Sequence, residues 1–347
     1  MTSSTAATDL GAICRAVLGC DVVSSQPLGA GGNSRVFRVD LDQRSPSQPA
    51  CVVVKFYRRD RGDARDRLGT EFGSLQFLWQ HGVRSIPRPL AIVRDRQCAI
   101  YECLEGEVAA SGAIGPADVD AAIDFLCVLK RLRRAPGSDT LAPASEACFS
   151  LRDVVASVEA RLRRLHDAGA GADACAMRTW IAGTVVPLAE QVGQWCRRAA
   201  AAAEIDFDEP IGAEARTLSP SDFGFHNAIR RPDGMLDFVD FEYFGWDDPA
   251  KTIVDFLLHP GMQLDDALKR RFAAGVCAAF AELPALPART RIVYPLFGLK
   301  WGLILLNDFL PERAGQAPGA RPAAQLAKAR SLVRRLAGEY ADNPFLC

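Results

Sequence analysis

Apolar positions alternate or run in short β-branched blocks through the first hundred residues, then recur every three or four beyond about residue 110. Residues 36–39 predict a short strand after a glycine cluster. The Ser-Pro-Ser-Gln-Pro run at 45–49 predicts a turn, and residues 51–56 a β-branched strand. Leu68, Phe72, Leu75, Leu78 and Trp79 predict a helix that stops at His81-Gly82, with Pro87 beyond it. Residues 98–101 predict another strand, broken by Glu105-Gly106.

The later pattern is helical. Residues 118–134 place Val119, Ile123, Leu126, Leu129 and Leu132 on one face, with acids at the start and bases at the end, as the helix dipole favours. Ser150-Leu151-Arg152-Asp153 resembles a capping box and opens a helix through Val154, Val158, Leu162 and Leu165. Residues 199–203 lie in or near a further helix. A β-hairpin interrupts this region, with Asn227-Ala228-Ile229 and residues 235–240 as its arms and Arg231-Pro232-Asp233-Gly234 as its turn. From Asp265 the tail is helical again, apart from a mobile Pro/Gly/Ala-rich loop expected at 311–323. The layout is a small β-rich part, 1–104, and a larger helical part, 105–347.

Composition narrows the class. The chain has 347 residues, 49% hydrophobic and 24% charged, with net charge −1. Disorder is excluded, and the basic footprint of a nucleic-acid binder is missing. No basic segment precedes the short N-terminal apolar run, which Arg15 interrupts, so it does not read as a secretory signal. The apolar stretch 292–306 carries Lys300 and fits a helix buried on one side better than a membrane span. Eleven cysteines are scattered without a CxxC pair, as expected of buried thiols in a reducing cytoplasm.

Several residues stand out as chemistry. Gly29, Gly31 and Gly32, with Asn33 and Ser34, lie between two strands, where backbone N–H groups can approach phosphates; an ordinary turn has the same composition. Lys55 ends an apolar strand and needs a partner or a ligand, unless it guards a sheet edge. Glu71 shares the apolar face of its helix, with Lys55 as natural partner or a solvated flank as alternative. Asp222 precedes Asn227 by five positions, and Asp240-Phe241-Glu242 ends the hairpin. Gly245, Asp248-Pro249 and Asp255 follow.

This order resembles the protein-kinase-like fold, and within it the aminoglycoside phosphotransferase and choline kinase family. Glu71-Phe72 with Leu75 and Leu78, then Gly82-Val83 and Ile86-Pro87, resembles that family's αC region. Residues 100–106 resemble its hinge, and 239–255 its metal-binding segment and following helix. The resemblance implies an α+β, bilobal protein-kinase-like fold, with a small β-rich N-lobe and a larger, mainly helical C-lobe that embeds the hairpin. It implies ATP and Mg²⁺ as cofactors and a hydroxylated small molecule (sugar, amino sugar or amino alcohol) as acceptor, with no nucleic-acid or membrane partner. Lys55 would contact phosphates and pair with Glu71. Asp222 would accept the substrate proton, and Asn227 and Asp240 would hold Mg²⁺. The backbone of Glu102 and Leu104 would meet adenine, and Asp255 would brace the catalytic loop. Glu242 would hold a second metal or cap its segment; His226 would touch phosphate or substrate, or play a structural part.

One departure is Pro220, where the family usually has His two residues before the catalytic Asp. It keeps open a pseudokinase that binds nucleotide without turnover. A protein kinase is the other alternative, disfavoured because no Ala-Pro-Glu-type segment follows Asp240. From residue 288 on, nine bases face four acids, a net of +5. That tilt disfavours a polycationic acceptor and favours a neutral or anionic one.

Overall fold

The chain begins with a helix, α1 (Ser3–Leu18), where the hydrophobic pattern predicts no element. Leu10, Ile13 and Cys14 are its buried stripe, too short to stand out beside Arg15 and small residues. The computed structural model describes residues 3–30, 34–46, 48–58, 65–111, 113–167, 172–262, 264–311 and 321–345. These fall into two units.

The first unit comprises Met1–Ala113, Arg131–Ser145 and Pro220–Gly245. Its five-stranded antiparallel sheet has the order β1-β2-β3-β5-β4. The strands are β1 (Val22–Ala30), β2 (Ser34–Leu41), β3 (Cys51–Tyr57), β4 (Pro89–Val93) and β5 (Cys98–Glu102). The turn expected between β2 and β3 is closed by Gln48 N–H donating to Ser45 O at 3.0 Å.

Strand alternation gives this sheet two different faces. Val52 and Val54, with Cys98 and Ile100, join Leu10, Ile13 and Cys14 of α1 in one apolar cluster. Lys55 and Tyr57 take the other face, in register with β5 through Lys55↔Ala99 and Val53↔Tyr101. Helix α2 (Arg67–Gln80) buries Leu68, Glu71, Leu75 and Leu78. Asp66 caps its start by accepting from Gly69 N–H, and its end is at His81, followed by Gly82 at φ +83°.

The unit also holds a three-stranded sheet of β6 (Glu107–Val108), β8 (Ala228–Arg230) and β9 (Leu236–Phe238), in the order β6-β8-β9; β7 belongs to the second unit. Gly106 enters it at φ +140°, where a Cβ would lie 2.2 Å from Arg230 O. The hairpin turn uses Gly234 at φ +86°.

The second unit comprises Ile114–Lys130, Glu146–Ser219 and Trp246–Cys347. It holds α3 (Pro116–Leu132), α4 (Leu151–His166), α5 (Ala172–Trp180), a π-helical turn at Ile181–Val185, α6 (Val186–Ala202), α7 (Pro249–Leu258), α8 (Asp266–Ala279), α9 (Leu286–Ile304) and α10 (Arg321–Glu339). A short pair, β7 (Thr217–Ser219) and β10 (Gly245–Asp247), completes it. The capping box at α4 forms as expected: Ser150 accepts from Asp153 N–H, and Asp153 accepts from Ser150 N–H.

Helices α4, α6, α7 and α10 pack around α9, which is why α9 lacks a polar face. By length and composition alone Leu286–Phe309 could cross a membrane, but 67% of that window is buried inside the protein. Lys300 within it is buried and paired with Glu146 at 3.0 Å. Of the bases behind the positive tilt, Arg289 pairs with Asp248 at 2.5 Å and Lys300 with Glu146. Both acids lie before residue 288, so counting the tail alone overstates its charge. Part of the loop expected at 311–323 lies outside the described residues. Residues 321–323 instead open α10, with Pro322 in the first turn, where a missing N–H costs nothing. The ten described cysteines are free thiols.

Candidate active site

Lys55 stands on β3, which is flanked by β2 and β5, so the sheet-edge alternative is excluded. It is 5% exposed. Its Nζ donates to Glu71 Oε2 at 2.7 Å and to Asp240 Oδ1 at 2.6 Å, with Glu242 Oε2 at 3.6 Å. Burial opposes the Lys55 charge, but the three acids outweigh it and hold the ammonium pKa well above its ordinary value. Burial pushes the Glu71 carboxyl up to about 7, against the pull of Lys55. Two further donors reach Glu71: Tyr57 OH at 2.7 Å on Oε2 and Phe241 N–H at 3.3 Å on Oε1.

Glu242 is buried between two cations, Lys55 and Arg67, each at 3.6 Å. Arg67 is the first residue of α2, and it and Arg65 lie over the Tyr243 ring at 5.9 and 5.5 Å. The carboxylate thus ties the 240–243 segment to the start of α2, and it also lies with Glu71 and Asp240 in a group of acids that could hold a metal ion.

Asp222 leaves a tight turn. Its N–H donates to Pro220 O at 2.9 Å, with Ser221 between them at φ +67°. That i→i+2 bond around a positive-φ residue makes a rare, strained γ-turn. It gives Pro220 a place: the ring fixes the entry to the turn, and the missing N–H is not needed there. Phe223 and Phe225 anchor the loop by burial, Phe223 against Phe238 with centroids 5.0 Å apart. His226 Nε2 lies 3.1 Å from Asp222 Oδ1. Asn227 Nδ2 donates to Asp222 O at 3.0 Å.

The hairpin brings the two acidic positions together. Ala228 pairs with Phe238, and Val239 N–H donates to Asn227 O at 2.9 Å. Asn227 is therefore opposite Val239, one residue from Asp240. Asp240 itself sits at φ +68°, a conformation that short polar side chains tolerate best. The donor set beside it suits a hard cation: the Asp240 carboxylate, and the Asn227 amide oxygen, whose NH₂ end is already fixed on Asp222 O.

The other expected positions are spread more widely. Glu102 N–H donates to Arg88 O at 2.9 Å, and its carboxylate accepts from Arg88 N–H at 3.1 Å, which locks the hinge strand to residue 88. Leu104 follows, half-buried. Gly29 pairs with Val36, and Ser34 opens β2 opposite Tyr57; Gly31, Gly32 and Asn33 lie outside the described residues. Asp255 lies on α7, its oxygens taken by Trp301 Nε1–H at 2.9 Å and Lys251 Nζ at 3.1 Å. Thr252 Oγ1 on the same helix lies 3.0 Å from Ser219 Oγ of β7. Sequence reasoning missed Tyr57, Tyr101, Arg67 and Thr252. For Tyr57 a signal existed: it lies two residues after Lys55, on the same strand face.

Solved structures share this architecture at low identity. A spectinomycin phosphotransferase bound to ADP and spectinomycin is 10% identical with a TM-score of 0.65, over 95% of this chain and 98% of that one. The gentamicin complex of the phosphotransferase APH(2″)-IIa is 15% identical with a TM-score of 0.62, over 100% of this chain and 99% of that one. An ethanolamine kinase of Plasmodium vivax is 14% identical with a TM-score of 0.58, over 90% and 83%. Among curated proteins none matches. The fold is protein-kinase-like, with an antiparallel N-lobe sheet and a mainly helical C-lobe. The model of the phosphotransferase enzyme family matches residues 24–291, most of the chain, and the chain belongs to that family.

Proposed function

We propose that the protein is an ATP- and Mg²⁺-dependent kinase that transfers the γ-phosphoryl group to a hydroxyl of a small molecule. The observation that carries this is Lys55 Nζ held between Glu71 and Asp240 at 2.7 and 2.6 Å. Lys55 presents a fixed cation to the nucleotide phosphates. Asp240 and Asn227 are the oxygen donors for Mg²⁺, which when bound neutralises phosphate charge. Asp222 accepts the proton of the acceptor hydroxyl as its oxygen bonds to the γ-phosphorus and ADP leaves. Positioning and charge neutralisation supply most of the acceleration in such a transfer. The backbone at Glu102 and Leu104 takes the adenine. The solved relatives act on aminoglycosides and ethanolamine, which supports a sugar, amino sugar or amino alcohol as the acceptor class. The free thiols fit a cytoplasmic setting.

The test is untargeted. The protein is incubated with Mg²⁺-ATP and a metabolite extract, and mass spectrometry follows which species gain a phosphoryl group, with Asp222→Asn as control. A species phosphorylated by the wild type alone supports the proposal. Nucleotide binding with no transfer and no ADP formation turns the reading to a nucleotide-binding module without turnover.

A further inference from the structure

Tyr57 and Tyr101 bury their hydroxyls beside the Lys55–Glu71 pair; the two residues are 6% and 4% exposed. Tyr57 OH lies 2.7 Å from Glu71 Oε2 and 2.8 Å from Tyr101 OH. The direction of this chain follows from counting protons. Tyr57 OH donates to Glu71 Oε2, which uses its single hydroxyl proton. Tyr57 then has only its oxygen to offer, so Tyr101 donates to Tyr57. Each bond polarises the next in a buried, low-dielectric place. The Tyr57 ring also lies beneath Lys55 Nζ, 5.2 Å from the ring centroid. Tyr57 thus touches both members of the pair, and Tyr101 sits one residue before Glu102, at the start of the hinge.

We infer that Tyr57 is a positioning residue for nucleotide phosphates, with Tyr101 as its support. The inference rests on the kinase reading. Lys55 is shared among Glu71, Asp240 and the more distant Glu242, and a phosphate entering the site competes with all of them. A carboxylate held by Lys55 alone would follow the lysine. Tyr57 and the Phe241 N–H hold Glu71 independently of Lys55. Glu71 therefore stays fixed in position, and Lys55 keeps its direction against it as it turns to phosphate.

The experiment measures the Kd of ATP, ADP and adenosine, with and without Mg²⁺, for the wild type, Tyr57→Phe and Tyr101→Phe. Tyr57→Phe removes a donor from a charged acceptor and is expected to weaken ATP and ADP about tenfold while leaving adenosine within about twofold. Tyr101→Phe leaves the bond to Glu71 intact, so its effect on ATP is expected to be smaller. The inference is overturned by a Tyr57→Phe protein that binds ATP like the wild type, or by one that loses adenosine as much as ATP. A Tyr57→Phe protein that does not fold assigns the hydroxyl to stability and overturns it as well. A wild type that binds no nucleotide overturns the kinase reading itself, before the variants are compared.

Discussion

His226 Nε2 and Asp222 Oδ1 form a 3.1 Å hydrogen bond within the 222–227 loop. A carboxylate offers only acceptors, so the proton is on Nε2. The bond fixes one oxygen of Asp222. If Asp222 is the base, a free carboxylate would sample unproductive rotamers. His226→Ala is expected to lower kcat about tenfold to a hundredfold while ATP affinity stays near wild type. His226→Gln, which restores an N–H donor, is expected to recover part of the loss. Steady-state kinetics on the acceptor found by mass spectrometry decide it, and an unchanged kcat in His226→Ala rejects the role.

Lys251 is another buried cation, and its partners are not those of a surface pair. It meets Asp247 at 2.7 Å and Asp255 at 3.1 Å, with Asp247 fully buried. Burial pushes the Asp247 carboxyl up to about 6 against the pull of Lys251. Removing one partner of such a group strands the rest. Lys251→Met is expected to cost about 3–5 kcal/mol in urea denaturation. Adding Asp247→Asn should return part of that loss, because the stranded charge is removed. A single-variant cost below about 1 kcal/mol, the range of surface pairs, would contradict this.

Strong acid should weaken the fold through Glu146. Burial raises its carboxyl, but Lys300 and Arg161 outweigh burial and bring it down to about 2 from an ordinary 4.5. A folded pKa below the unfolded one contributes stability above the unfolded pKa, and that contribution is lost as pH falls from about 4.5 through 2. Glu146→Gln is expected to melt below the wild type at pH 7, with the gap closing in acid. Melting curves between pH 3 and 7 test it; a gap that stays constant across that range would mean that ionisation of Glu146 is not what stabilises the fold.

The residues with chemistry were legible where each broke a local pattern. Lys55 ends a β-branched strand, Glu71 interrupts an apolar helix face, and Asp222 and Asp240 border turns that no strand or helix period explains. The Lys55–Glu71 pair and the hairpin that sets Ala228 opposite Phe238 were both expected. The reach of Asp240 to Lys55 was not, because it depends on β3 lying between β2 and β5, a long-range choice. Tyr57 hid because aromatic residues are enriched in strands for packing alone. Thr252 hid behind Asp255, because a charged residue attracts a role more readily than a threonine. Helix α1 hid because Leu10, Ile13 and Cys14, its buried residues among the described side chains, make a short stripe interrupted by small and polar residues.

Gly245 follows the 240–243 segment, and its backbone runs against residues 142–144. A Cβ there would lie 2.3 Å from Ala142 O and 2.5 Å from Ala144 N. Both are backbone atoms, so no side chain can swing aside. Nearby, Ser145 N–H donates to Tyr243 O at 3.0 Å, which keeps the two segments side by side. An added methyl must push them apart, and the displacement passes along the chain to Glu242 and Asp240. Gly245→Ala is expected to cost about 1–3 kcal/mol and to weaken Mg²⁺-dependent nucleotide binding. Gly234→Ala is the control: a Cβ there meets nothing, and its φ of +86° carries backbone strain alone. It should lower stability by about 1 kcal/mol and leave nucleotide affinity untouched. Denaturation midpoints and nucleotide titrations on the two variants separate the effects. If both lower stability and neither changes affinity, Gly245 serves packing only and does not set the position of Asp240.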